Sequence, residues 1–523
     1  MRDLVKARPI LPALFAALLA LVVAGCGSSS SGSGDGGTDP ASVAPGKSLL
    51  YVEATIRPEG EAKANIEALA KDVGIDDLGG LIASEIEKSA AEEDEEIDFE
   101  KDVEPWLGEK GAIFSPNYKE GDFEDGAFVI QVTDSGAAEE FVDEHAKSGD
   151  GPAEDGSYEG IDFKVEEDGT TVGVFDDLLV SAETEALFKR MVDAANGESL
   201  ADEDAFTEAV SHVPGGSAAD FYVDIGGTIR ASGSEFDQET QAFFDSAGIE
   251  LRESTAVGSL IPGSDQIEID FSTNLSGDNP PSGDGSELLG SLPGDSLAAF
   301  ASAEFGKRFN EAIDQIDDKG IPGEVPPHQL KKSLKQSGID LESIAGSIGD
   351  VGVFVEGTSE RNLGGALVLT TDDSKQATNT VSNIGLLLRS TGVPGITAIK
   401  GEASGFSIRT PELGSQPLVV AAAGSRIAIA YGRSAATTAL HEGGETLSDS
   451  PAYKEAVSAL GGTPIAGFVD GPAALKLVSA VVAPDEAGFS EAKKYLTKID
   501  YAALGSEASD GLATAKLIVG IGK

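Results

Sequence analysis

The mature part of this 523-residue chain repeats itself, and that repeat constrains the fold more than any other feature. Pro45-Gly46-Lys47-Ser48-Leu49 returns as Pro293-Gly294-Asp295-Ser296-Leu297, and Gly108 and Gly111 return as Gly349 and Gly352. Thr133-Asp134 matches Thr371-Asp372, Ala205-Phe206-Thr207-Glu208-Ala209-Val210 matches Ala452-Tyr453-Lys454-Glu455-Ala456-Val457, and Val223-Asp224 matches Val469-Asp470. The five matches keep their order, and small drifts in spacing are what loop insertions produce. Whatever fold the first half adopts, the second is expected to adopt too. Between them, SGDNPPSGDGSE at 276–287 carries the Pro-Pro pair and glycines of a linker.

Local periodicity is alike in the two halves. Ile161, Phe163 and Val165 alternate with charged residues, as do Ile267, Ile269 and Phe271, the period of a half-buried strand. Phe206, Ala209, Val210 and Val213 fall on one helix face, and Tyr453, Ala456, Val457 and Leu460 repeat that spacing behind a Ser450 cap and Pro451. A further helix is expected over 137–147. These patterns predict an α+β protein of two tandem duplicated domains, each a mainly antiparallel sheet with helices packed on one face. The expected layout is a signal segment at 1–25, a Gly/Ser-rich tether at 26–44, a first repeat at 45–275, a linker at 276–289 and a second repeat at 290–523.

The N-terminus carries the most specific chemistry. Arg2, Lys6 and Arg8 precede an apolar stretch from Ile10 to Ala24, too short to span a bilayer comfortably and ending in small residues, as a cleavable signal does. Val23-Ala24-Gly25-Cys26 resembles the bacterial lipobox. That resemblance implies thioether-linked diacylglycerol on Cys26, cleavage before it, acylation of the new amino group (palmitate is a common chain) and residence on the extracytoplasmic side of the cell membrane. Two or three acyl chains anchor stably where one is marginal. Cys26 is the only cysteine, so the chain has no intrachain disulfide and no thiol nucleophile to spare. The tether contains a formal G-x-G-x-x-G at Gly32, Gly34 and Gly37, but no strand precedes it and no helix pattern follows, so it reads as a glycine-rich linker.

Charge narrows the partners. Acids outnumber bases 90 to 37, and the net charge is −53. Loss of residues 1–25 removes Arg2, Lys6, Arg8 and Asp3 and leaves about −55. Such a surface repels nucleic-acid phosphates and anionic headgroups, so no nucleic-acid partner is expected, and the membrane is reached through the lipid on Cys26.

Several phrases of the first half belong together: PGKSLLYVE, PWLGEKGAIF (Pro105–Phe114), GAFVIQVTDSGAAEEFV (Gly126–Val142), YEGIDFKVEEDGTTVGVFDDLLVSA (Tyr158–Ala182) and SLADEDAFTEAV (Ser199–Val210). As a set they resemble the bacterial domain of unknown function 3352, a family of exported or membrane-tethered proteins common in high-GC Gram-positive bacteria. The second half resembles it more weakly, with Ser347-Ile348-Gly349 where the first has Trp106-Leu107-Gly108. The resemblance implies an envelope address and this fold, and it assigns no activity, cofactor or site residue.

Catalytic signatures are sparse. The four histidines, His145, His212, His328 and His441, are scattered, with no second histidine at i+3 or i+4, so no helical metal pair is expected. Glu139, Glu140, Asp143, Glu144 and His145 read as a charged helix face. Ser490-Glu491-Ala492-Lys493 matches S-x-x-K without its K-T-G and S-D-N companions. The acidic run from Glu92 to Glu96, with Asp98 and Glu100, lacks the glycine and spacing of a calcium loop. Trp106 is expected to be a packing anchor, and Asp134, Asp372, Asp224 and Asp470 to cap turns or helices. No cofactor or metal site is expected. The chain leans away from enzyme activity toward a ligand-binding or interaction module, for which a cleft between like domains is a common site. A carboxylate-dependent extracytoplasmic hydrolase and a structural or cation-binding surface protein are the alternatives.

Overall fold

The computed structural model of the chain describes residues 37–92, 97–119, 122–148, 151–232, 251–274, 284–320, 326–336, 341–359, 361–390, 392–399, 403–441, 444–481, 489–509 and 511–522. Cys26 and its lipobox residues Val23, Ala24 and Gly25 lie outside the described residues. The described residues of 37–274 form one compact unit and those of 284–522 a second.

In the first unit the order is β1 (Leu50–Thr55), α1 (Gly60–Asp72), α2 (Leu78–Glu92), β2 (Leu107–Ser115), β3 (Ala127–Val132) and α3 (Ser135–His145). There follow β4 (Glu154–Tyr158), β5 (Ile161–Val165), β6 (Thr171–Phe175), β7 (Leu178–Ala182), α4 (Glu185–Ala195), α5 (Asp204–Val210), β8 (Ala219–Asp224), α6 (Ile225–Ser232), β9 (Thr255–Pro262) and β10 (Gln266–Thr273). The strands pair antiparallel in the order β4-β5-β6-β7-β3-β2-β1-β8-β9-β10.

The second unit runs through α7 (Ser286–Gly290), β11 (Ala298–Ser302), α8 (Phe305–Lys319), α9 (Leu330–Gln336), α10 (Leu341–Ala345), β12 (Val351–Glu356), β13 (Gly364–Thr370) and α11 (Ser374–Ser390). It continues with β14 (Ile396–Ile399), β15 (Ser404–Ile408), β16 (Leu418–Ala423), β17 (Arg426–Tyr431), α12 (Arg433–Leu440), α13 (Pro451–Ala459), β18 (Ile465–Asp470), α14 (Gly471–Val481), α15 (Phe489–Leu496), β19 (Ile499–Ser509) and β20 (Leu512–Ile521). Its sheet order is β14-β15-β16-β17-β13-β12-β11-β18-β19-β20, again antiparallel throughout. The α+β class is therefore correct, and the two units thread their strands identically.

The helices do not keep to one face, contrary to the expectation from alternation. In β7, Leu178, Val180 and Ala182 join Phe114 and Val129 beneath Leu187, Phe188, Met191 and Val192 of α4. Leu179 points the other way, with Ile130, Val132 and Val172, against Ala138, Phe141 and Val142 of α3. The second unit is covered on both sides too. Val419, Ala421, Ala428 and Ala430 meet α12 and α13, while Val420, Ala422 and Ile427 meet α11. All five residues of β7 are buried, so its sequence LLVSA has no polar phase. The alternating strand β5, which suggested one wet face, is the second from its sheet's edge.

Two boundaries also move. Ala41, Val43 and Ala44, placed in the tether, are buried in the first core. Asp39 accepts from the Ala41 amide at 2.9 Å to cap a short turn, and Gln131 donates to the Thr38 carbonyl at 2.9 Å. Three small apolar residues at 41–44 are enough to dock the segment, so packed structure begins before residue 45. Likewise Leu288 and Leu289, placed in the linker, are buried on α7. Among the described residues no helix is long and apolar enough to cross a membrane.

Candidate functional site

Two features of this scaffold carry chemistry: a polar row across the first sheet, and cavities against the helices. The row arises because the register sets polar residues opposite one another on three strands: Glu53 faces Asp220, and Asp220 faces Ser259. Lys110 on β2 reaches across, its Nζ 2.6 Å from Glu53 Oε1, and Tyr51 Oη donates to Glu53 Oε2 at 2.8 Å. Ser217 Oγ donates to Asp220 Oδ2 at 2.8 Å, and Asp220 Oδ1 is buried without a hydrogen-bond partner.

Burial raises the pKa of both Glu53 and Asp220, against the pull of Lys110 on Glu53 and against the Ser217 and Ser259 hydroxyls, with Lys110 after them, on Asp220. Burial alone would lower Lys110, but the Glu53 carboxylate beside it gives a net rise. Both carboxyls therefore hold their protons more tightly than usual, on facing strand positions beside one ammonium. Glu53, Lys110 and Asp220 do not line any of the three cavities described next. The strand registers set Ala301 at the place of Glu53 in the second unit, so the row is not repeated there.

Of the cavities, one of about 840 Å³ in the first unit is walled by Glu139, Asp143, Asp155, Asp162 and Lys164, where Lys164 pairs with Asp143 at 2.9 Å and Asp155 at 2.7 Å. Another, about 640 Å³, lies beside Tyr453, whose hydroxyl burial pushes up to about 12. The third, about 350 Å³ in the second unit, is apolar: Ile399, Ala403, Val419, Ala421, Ala423, Ala436 and Leu440 form its walls. Arg433, Thr437 and His441 stand at its mouth, one turn apart along α12.

The residues singled out by sequence have mostly structural duties. Trp106 is buried, packs 5.3 Å from Phe141 and donates its indole N–H to the Asp102 carbonyl at 2.7 Å, as an anchor does. His145 stacks on Phe141 at 4.5 Å. Asp134, Asp224 and Asp470 each accept the backbone N–H three residues on, capping α3, α6 and α14. Asp372 does not. Its neighbour Asp373 caps α11, accepting from the Gln376 amide at 2.8 Å, because the strand register before that helix is one residue out from the sequence match. Lys493 of the S-x-x-K stretch lies over the Phe489 ring. Residues 93–96 of the acidic run lie outside the described residues, while Asp98 accepts from the Lys101 amide. Among the described residues no group of three or more His, Cys, Asp or Glu could hold a metal ion.

Sequence reasoning missed the polar row and the apolar cavity. Glu53 and Asp220 are far apart in sequence, and alanines in a strand carry no signal of a void.

Two solved crystal forms, I and III, of TP0453 are similar at TM-score 0.24. Identity is 12% and 11%, with 46% of this chain and 81% and 82% of those chains covered. At that score the likeness carries no argument. No curated protein matches the chain. The model of one family, described as a protein of unknown function (DUF3352), matches residues 14–469, most of the chain and most of both units. On that match, the chain belongs to the DUF3352 family.

Proposed function

We propose that this is a lipid-anchored protein of the outer face of a bacterial cell membrane, built from two tandem copies of one α+β unit, and that it binds an envelope ligand. The address rests on Cys26, the sole cysteine, directly after Val23-Ala24-Gly25. Tandem copying is supported by the common strand order and by matched details. Pro45 bridges Ser199 where Pro293 bridges Thr446, and each bridge leads into a capping box, Ser199 with Asp202 and Thr446 with Asp449.

The binding reading is carried by one observation, the apolar cavity of about 350 Å³ with polar groups only at its mouth, the form that small-molecule sites take. Two measurements test the proposal. Metabolic labelling with an alkyne fatty acid should tag the wild-type protein, and Cys26→Ser should abolish the tag and move the protein out of the membrane pellet. Mass spectrometry of the protein purified from its own membranes should recover a small molecule at stoichiometric level; turnover of cell-wall or peptide substrates by the unanchored chain would overturn the binding reading.

A carboxylate-dependent extracytoplasmic hydrolase is the second reading, favoured by the adjacent Glu53 and Asp220 with raised pKa values. It requires that any hydrolysis found be lost in both Glu53→Gln and Asp220→Asn.

A further inference from the structure

We infer that the cavity under α12 is a binding site for a single-chain anionic amphiphile, its aliphatic chain inside and its carboxylate or phosphate head at Arg433. The inference rests on the ligand-binding reading and deepens it.

Two of the cavity's wall residues, Ala423 and Ala436, stand where the first unit has aromatic rings. In the first unit Phe163, Phe175 and Phe188 pack together beneath α4, with centroids 5.0 Å apart for Phe163–Phe188 and 5.8 Å for Phe175–Phe188. Strand register fixes the matching places in the second unit. Phe163 faces Gly173 where Gly405 faces Ala421, and Phe175 faces Leu178 where Ala423 faces Arg426. Phe188 lies four residues past the N-cap of α4, and Ala436 lies four past the N-cap of α12. Gly405, Ala423 and Ala436 thus stand where three phenylalanines stand in the first unit. The space left is more than twice the roughly 150 Å³ that takes up a benzene ring. Away from Arg433, Thr437 and His441 the walls are aliphatic and give water no partners, so an apolar chain suits that part of the cavity.

The mouth sets the head group. In a chain with 90 acids and 37 bases, Arg433 has no acidic partner among the described residues, and among them no acidic side chain lines the cavity. Arg433, Thr437 and His441 are exposed and follow one another along the same face of α12. His441 Nδ1 lies 2.9 Å from the Thr437 carbonyl and donates to it, so Nε2 of the neutral ring is an acceptor, and only a protonated ring would offer an anion a donor there. Thr437 Oγ1 donates to the Arg433 carbonyl at 3.0 Å, so the guanidinium fork of Arg433 beside an apolar hole is what matches an anion joined to a hydrocarbon.

Titration calorimetry on the full chain carrying Cys26→Ser, so that no attached lipid competes, tests this with decanoate, decyl phosphate and decanol. Decanoate or decyl phosphate should bind about tenfold more tightly than decanol, and whichever anion is tighter identifies the natural head. Arg433→Gln should bring both anions to the decanol level and leave decanol unchanged. The double variant Ala423→Phe/Ala436→Phe, which restores rings found in the first unit, should lose all three while unfolding no earlier than its parent. Equal affinity for decanol and both anions, or full binding by the filled variant, would overturn the site. Absence of binding by every probe overturns this inference alone, since the ligand-binding reading is decided separately by what co-purifies from native membranes.

Discussion

Asp220 shows what one buried side chain costs. Its carboxyl has one hydrogen-bonded oxygen, one buried oxygen without a partner, and a pKa that burial raises. A carboxyl whose folded pKa exceeds its unfolded value of about 3.9 contributes stability while it is protonated in the folded state. That contribution is complete below the unfolded pKa and is lost as pH rises through the folded one, so at neutral pH the ionised group opposes folding. Asp220→Asn keeps the Ser217 hydrogen bond and removes the charge. Thermal unfolding of the variant should therefore rise at pH 7 by an amount on the order of 1 kcal/mol, or about 2–4 °C, and converge on the parent near pH 4. A variant less stable than the parent at pH 7 would show that the carboxylate's favourable contacts, the Ser217 and Ser259 hydroxyls before Lys110, outweigh its desolvation. Replacing Lys110 by Met removes the cation beside Glu53, and denaturant unfolding should show a loss of about 1–3 kcal/mol, below the fully buried range because Lys110 keeps a third of its side chain in solvent.

At the scale of elements, short-range signals were legible and long-range ones were not. The helix over 204–210, the Ser450-Pro451 start of α13 and strand β5 follow from periodicity and capping chemistry that the local sequence spells out. The second helical face was hidden because a strand buried on both sides, such as β7, loses the alternation that would report it. Register was hidden in a subtler way. Sequence aligned Asp134 with Asp372, yet the paired strands before α3 and α11 differ by one residue and hand the cap to Asp373. The consequence is measurable. Asp134→Ala and Asp373→Ala should each lower stability by about 1 kcal/mol in denaturant unfolding, whereas Asp372→Ala should stay within about 0.5 kcal/mol. Equal losses at Asp372 and Asp373 would mean that the two aspartates share the cap.

The whole molecule is governed by its charge, which sequence states outright, and by how that charge is distributed, which it does not. A net charge of −53 sets acid against acid over distances comparable to the Debye length of roughly 10 Å at 0.1 M salt, so screening should favour the compact state. The melting temperature is expected to climb as sodium chloride is raised from about 10 mM to about 500 mM, a range over which the Debye length shrinks severalfold. Charge repulsion alone makes no distinction between divalent ions of equal valence. A structural protein loaded with cations would, because calcium accepts crowded, irregular oxygen ligands while magnesium demands near-octahedral geometry and holds its waters. Melting curves in calcium and magnesium chloride at matched ionic strength separate the two cases. Coincident curves are expected for an acidic surface that is merely screened, with clusters of carboxylates such as Asp143 and Asp155 held by Lys164 rather than by a metal. A rise specific to calcium would return the cation-binding alternative to the front and place part of the acidic excess in coordination.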